Sequence, residues 1–94
     1  MTIEADLDRG AKAEAIFKNP LYEESFALVR QAILEQWEAC PVRDHDGAHE
    51  LKLMLKLLGD VRANLDRAIA DGKMAAIELD RRRKSNLADF KVRR

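Results

Sequence analysis

Three side chains in this 94-residue chain are natural metal ligands or soft nucleophiles: Cys40, His45 and His49. His45 and His49 stand four apart, a spacing that can set two imidazoles on one helical face toward zinc, with Asp44 or Asp46 as a further ligand. Cys40, however, has no second cysteine at Cys-x-x-Cys spacing, and His45 falls in a run of turn-forming residues. The expectation is solvent-facing residues around a turn, with no metal. Asp44-His45-Asp46-Gly47 has the look of part of a calcium loop. If Gly47 is the turn glycine at the sixth position, Val42 and Leu53 occupy the first and twelfth, and neither can bind calcium.

Other chemistry is sparse. Thr2, Ser25, Ser85 and Cys40 are the possible nucleophiles, and none sits in a recognisable elbow or beside a plausible base. The four glycines are scattered, so no phosphate-cradling loop exists. Glu35 and Glu38 belong to a highly charged, solvated face. With no convergent polar set, the chain is read as a non-enzyme with no cofactor.

The strongest chemical signal is a charge run. Arg81-Arg82-Arg83-Lys84, followed by Lys91, Arg93 and Arg94, can neutralise nucleic-acid phosphates. The same residues could equally complement the C-terminal end of a helix dipole as a solvated helix end. A third use is docking. Leu87, Phe90 and Val92 interleave with the basic residues and could order against a neighbouring subunit.

The elements that must position these residues are helical. Of 94 residues, 36% are charged and 5% aromatic, with two prolines, so Ala, Leu, Glu, Lys and Arg dominate. A single cysteine excludes an intrachain disulfide and favours a reducing compartment. The acidic stretch Met1-Thr2-Ile3-Glu4-Ala5-Asp6 predicts no signal peptide, and no run approaches the roughly 20 apolar residues of a membrane span. The formal net charge is zero but unevenly spread. Residues 20–50 hold two basic and seven acidic side chains, and residues 80–94 hold seven basic and two acidic.

Three helices and a tail are predicted within one domain spanning 1–94. The first, 4–17, carries the small apolar residues Leu7, Ala11 and Ala15 and is weakened by Gly10. Asn19-Pro20 pairs a favoured cap with a favoured first helical residue and opens the second helix, 20–40. There Tyr22, Phe26, Val29, Ile33, Trp37 and Cys40 recur at helical spacing, with Trp37 read as core. Pro41 stops that helix, and Asp44 or Asp46 caps a third over 48–83. Leu51, Met54, Leu58, Val61, Leu65, Ala68, Gly72, Ala75 and Leu79 keep a sustained seven-residue repeat, which predicts coiled-coil-like packing and continuity through Gly72. Residues 84–94 form the basic tail.

The third helix should reach roughly 54 Å, matching the first two laid end to end at 1.5 Å per residue. The simplest arrangement is an all-α protein: a long antiparallel hairpin with an additional short N-terminal helix. Leu55, Ile69 and Ala76 form a second apolar row that one partner helix does not cover. Exposed contiguous apolar surface marks an interface. The expected oligomer or partner face is therefore Leu51, Met54, Leu55, Leu58, Val61, Leu65 and Ile69. In a homo-oligomer, the basic tail could also dock on the acidic second helix of a neighbour.

Asp8-Arg9-Gly10-Ala11-Lys12-Ala13-Glu14, Asn19-Pro20-Leu21, Leu55-Lys56-Leu57-Leu58 and Gly72-Lys73-Met74-Ala75 together resemble small helical proteins of tailed bacteriophages. These belong to the head-assembly and DNA-packaging group that includes small terminase subunits. The resemblance implies a hairpin that oligomerises, partners among other phage head or packaging proteins, and a place in the host cytoplasm or virion. It also implies DNA contact through the basic tail, at Arg81, Arg82, Arg83, Lys84, Lys91, Arg93 and Arg94. The chain departs from larger members in lacking an N-terminal helix-turn-helix, so site-specific reading of DNA is not implied. A fainter resemblance is to secreted hairpin proteins with Trp-x-Gly at the bend; here the bend reads Trp37-Glu38-Ala39. The alternative from a different class is a small helical adaptor or inhibitor that presents one face to a host or viral protein.

Overall fold

The computed structural model describes residues 2–92, with side chains through residue 86. The fold is all-α. Among the described residues three helices follow one another: α1 (Ile3–Lys18), α2 (Pro20–Ala39) and α3 (His45–Val92).

The helix boundaries follow from local chemistry. Thr2 caps α1, its Oγ1 accepting from the Ala5 N–H at 3.1 Å. The residue before a proline is driven out of the helical region by the pyrrolidine ring. Asn19, before Pro20, sits at ψ 115°, and Cys40, before Pro41, at ψ 126°. Both breaks therefore lie at X-Pro steps. Asn19 also turns its side chain to accept from the Leu21 N–H at 3.0 Å, which makes it the N-cap of α2. Asp44 caps α3, accepting from the Gly47 N–H at 2.9 Å.

Two boundaries differ from the sequence-based expectation. His45 opens α3 instead of lying in the loop, because the Asp44 cap starts the helix three residues earlier than position 48. At the other end α3 passes unbroken through Gly72 and continues to Val92, so residues 84–92 are helical and not a loose tail.

The chain divides into two compact units. Unit 1 comprises Met1–Ala15 and Leu65–Arg94; unit 2 comprises Ile16–Asn64. In unit 1, α3 packs against α1 in a hairpin-like arrangement whose buried residues are small: Gly10, Ala13, Ala68, Gly72 and Ala75. A Cβ built on Gly10 would lie 3.0 Å from the Gly72 Cα and 3.1 Å from the Ala68 carbonyl oxygen. A Cβ built on Gly72 would lie 3.1 Å from the Gly10 Cα. The helices approach to backbone contact, and a Cβ at either glycine would require the backbones to part by a few tenths of an ångström. Gly10, which weakens α1 as an isolated helix, is what lets α3 close on it.

Unit 2 is built around aromatic rings and one arginine. Phe17 meets Tyr22 edge to face with centroids 5.5 Å apart, and Tyr22 lies 6.2 Å from Phe26. Ile33 on α2 and Leu51 on α3 are the buried aliphatic residues.

Candidate interaction surface

On α3 within unit 2, the inward row is Leu51, Leu55, Leu58 and Arg62, at spacings of four, three and four; Leu51 is buried and the rest half-buried. The heptad assignment from sequence instead passed through Met54 and Val61. Both are exposed, at 49% and 55%. The reason is position 62, where an arginine occupies a core-facing place. Its guanidinium lies 4.8 Å from the Phe26 centroid and 5.6 Å from that of Phe17, and donates to Glu23 Oε1 at 2.8 Å. The apolar stem packs while ring faces and a carboxylate satisfy the charge. An arginine breaks an apolar pattern, so Val61 is the natural but mistaken choice from sequence. The signal that could have found it is Glu23 standing among Phe17, Tyr22 and Phe26.

The seven expected interface residues therefore separate into two groups. Leu51, Leu55 and Leu58 in unit 2, and Leu65 and Ile69 in unit 1, are buried or half-buried against the chain's own helices. Met54 and Val61 face outward, and so do two residues missed from sequence, Leu53 at 46% and Leu57 at 54%. On α2, Leu21, Leu28 and Val29 are exposed as well. Trp37, expected in the core, is 45% exposed near the bend, because the inward face of α2 is centred on Tyr22, Phe26 and Ile33.

The basic run is helical, which changes what it can do. Successive helical residues point 100° apart, so Arg81, Arg82, Arg83 and Lys84 surround the helix as a collar instead of forming one patch. Arg81 and Arg82 both bond Glu78, Arg82 at 3.1 Å, and Lys84 pairs with Asp80 at 3.1 Å. Partial burial pushes the Glu78 carboxyl upward, but the hydrogen bonds and charges of Arg81 and Arg82 outweigh it and hold the group below its ordinary value. Arg83 is exposed. Lys91, Arg93 and Arg94, with Leu87, Phe90 and Val92 of the possible docking segment, lie outside the residues whose side chains are described.

The candidate ligands do not converge. His45 and His49 are exposed, and Cys40 Sγ is directed to the carbonyl oxygens of Pro41 and Asp44 at 3.8 and 3.7 Å. Among the described residues no group of three His, Cys, Asp or Glu side chains could hold a metal ion, and no helix is long and apolar enough to cross a membrane. Ser25 is exposed on α2, and Glu35 accepts from the Gln31 amide at 3.3 Å. Compared with protein-family models, curated proteins and solved structures, the chain gives no match in any of the three.

Proposed function

We propose that the chain is a non-catalytic helical subunit that works in several copies, a small-terminase-like member of the head-assembly and DNA-packaging proteins of tailed bacteriophages. Its working form is a long antiparallel, coiled-coil-like hairpin. The pairing of Glu23, early in α2, with Arg62, well along α3, supports that geometry.

The observation that carries the reading is the outward apolar row Leu53, Met54, Leu57 and Val61 on α3. Four large apolar side chains at adjacent helical positions leave a contiguous patch in water, and such patches mark association surfaces. A second copy covers it. Other head or packaging proteins are the further partners, in the host cytoplasm or the virion. The basic end of α3, at Arg81, Arg82, Arg83 and Lys84, contacts DNA phosphates or a neighbouring subunit.

Light scattering of the full chain across concentration tests the assembly. The expected result is a mass several times 10.7 kDa, reduced on changing Met54 and Val61 to Glu. DNA contact is tested by binding at several salt concentrations. The affinity should fall steeply with salt and vanish when Arg81, Arg82 and Arg83 become Glu. A stable monomer with no DNA affinity at low salt makes the chain the adaptor or inhibitor instead.

A further inference from the structure

The four most exposed large apolar side chains on the described helices are Met74, Leu21, Leu28 and Ile77, between 62% and 66%. They belong to neither the packed core nor the row proposed above. Each pair lies within a longer row. On α2, Leu21, Glu24, Leu28, Glu35 and Glu38 recur at spacings of three, four, seven and three, all exposed. That is one helical face, apolar at its start and acidic throughout. On α3, Arg67, Met74, Ile77, Arg81 and Lys84 recur at spacings of seven, three, four and three, also all exposed. That face is apolar at its centre and basic at both ends. Each row covers about 26 Å of helix at 1.5 Å per residue.

We infer that these two rows are the halves of one interface, the acidic face of α2 docking on the basic face of α3 of a second copy of this chain. The inference rests on the assembly reading above and adds a second contact to it. The rows are equal in length and opposite in sign, and laid parallel with a constant offset they set Leu28 opposite Met74, Glu35 opposite Arg81 and Glu38 opposite Lys84. Leu28 then packs on Met74 with Ile77 one turn further on, Leu21 lies along the stem of Arg67, and Glu24, Glu35 and Glu38 come near Arg67, Arg81 and Lys84. Arg81 and Lys84 already have partners, Glu78 and Asp80 on their own helix. Such exposed pairs one turn apart contribute little and yield readily to an intermolecular carboxylate. A contact between two different surfaces closes as a reciprocal pair or, where one of each stays free, propagates into a ring or a filament.

The test uses three full-length variants, each checked for helicity by circular dichroism: Glu24→Lys with Glu35→Lys, Arg67→Glu with Arg81→Glu, and all four changes together. The readout is sedimentation equilibrium at low salt. Each double variant should associate at least about tenfold more weakly than the unaltered chain, because like charges then face each other. Mixing the two double variants should restore association, and the quadruple variant should restore it within one chain. Undiminished association of both double variants overturns this interface while leaving assembly through Leu53, Met54, Leu57 and Val61 standing. Weakening without restoration in the mixture also overturns it. An unaltered chain that stays monomeric at every concentration overturns both.

Discussion

Gly10 and Gly72 cross at backbone distance: a Cβ on either would stand within 3.1 Å of the other's Cα. Glycine inside a helix is ordinarily a liability, less favourable than alanine by about 1 kcal/mol. Here the liability is offset by the approach it permits. Gly59, on the same helix, has open space around its Cβ position. The two sites should therefore respond with opposite sign. Gly59→Ala should stabilise by about 1 kcal/mol, and Gly72→Ala should destabilise by about 1–2 kcal/mol through overpacking against backbone. Urea unfolding followed by circular dichroism reads both; equal stabilisation by the two changes would remove the close crossing.

Arg62 organises unit 2 through contacts that neither a lysine nor a methionine reproduces. Arg62→Met keeps the apolar stem but loses the Glu23 bond and both ring contacts. Because the pair is half-exposed, the loss should be modest, about 1 kcal/mol. Thermal melts of the variant at low and high salt should show most of that loss at low salt, where the charge pair is least screened.

The Tyr22 hydroxyl is buried and, among the described residues, finds no hydrogen-bond partner. An unpaired buried hydroxyl is unfavourable, so Tyr22→Phe should be neutral or stabilising by about 1 kcal/mol while preserving the ring contacts with Phe17 and Phe26. Chemical denaturation measures it; a loss of stability would mean the hydroxyl has a partner in solution.

The Glu78 cluster makes the distal part of α3 sensitive to acid. The carboxyl is held below its ordinary value by Arg81 and Arg82. A depressed folded-state value means that its stabilisation is fully present above the unfolded value of 4.5 and is lost as pH falls through the lower folded value. Protection of the amides at 78–84 against hydrogen exchange, taken relative to the intrinsic rate at each pH, should therefore fall below that pH, and Glu78→Gln should abolish the dependence.

Much of the fold was legible in the sequence because proline and capping residues act locally. Asn19-Pro20 and Cys40-Pro41 mark both breaks, and Asp44 marks the start of α3. The inward face of α3 was harder to read. Leu51, Leu58 and Leu65 fit either of two rows, and the residue that decides between them is an arginine whose burial depends on Phe17, Phe26 and Glu23, distant in sequence. The α1–α3 crossing was hidden for a related reason. Gly10, Ala13, Ala68, Gly72 and Ala75 carry almost no hydropathy signal, although their three- and four-residue spacings mark two matching small-residue faces. The basic run was legible as charge, but its arrangement as a collar followed only once residues 84–92 proved helical.

The claim on which the functional reading turns is that the outward row Leu53, Met54, Leu57 and Val61 is covered by another copy. The native mass of the purified chain, measured by light scattering from low to high micromolar concentration, tests it most directly. A multiple of 10.7 kDa is expected, and it should fall, with helicity retained, when Met54 and Val61 are changed to Glu. A mass of 10.7 kDa at every concentration would contradict it.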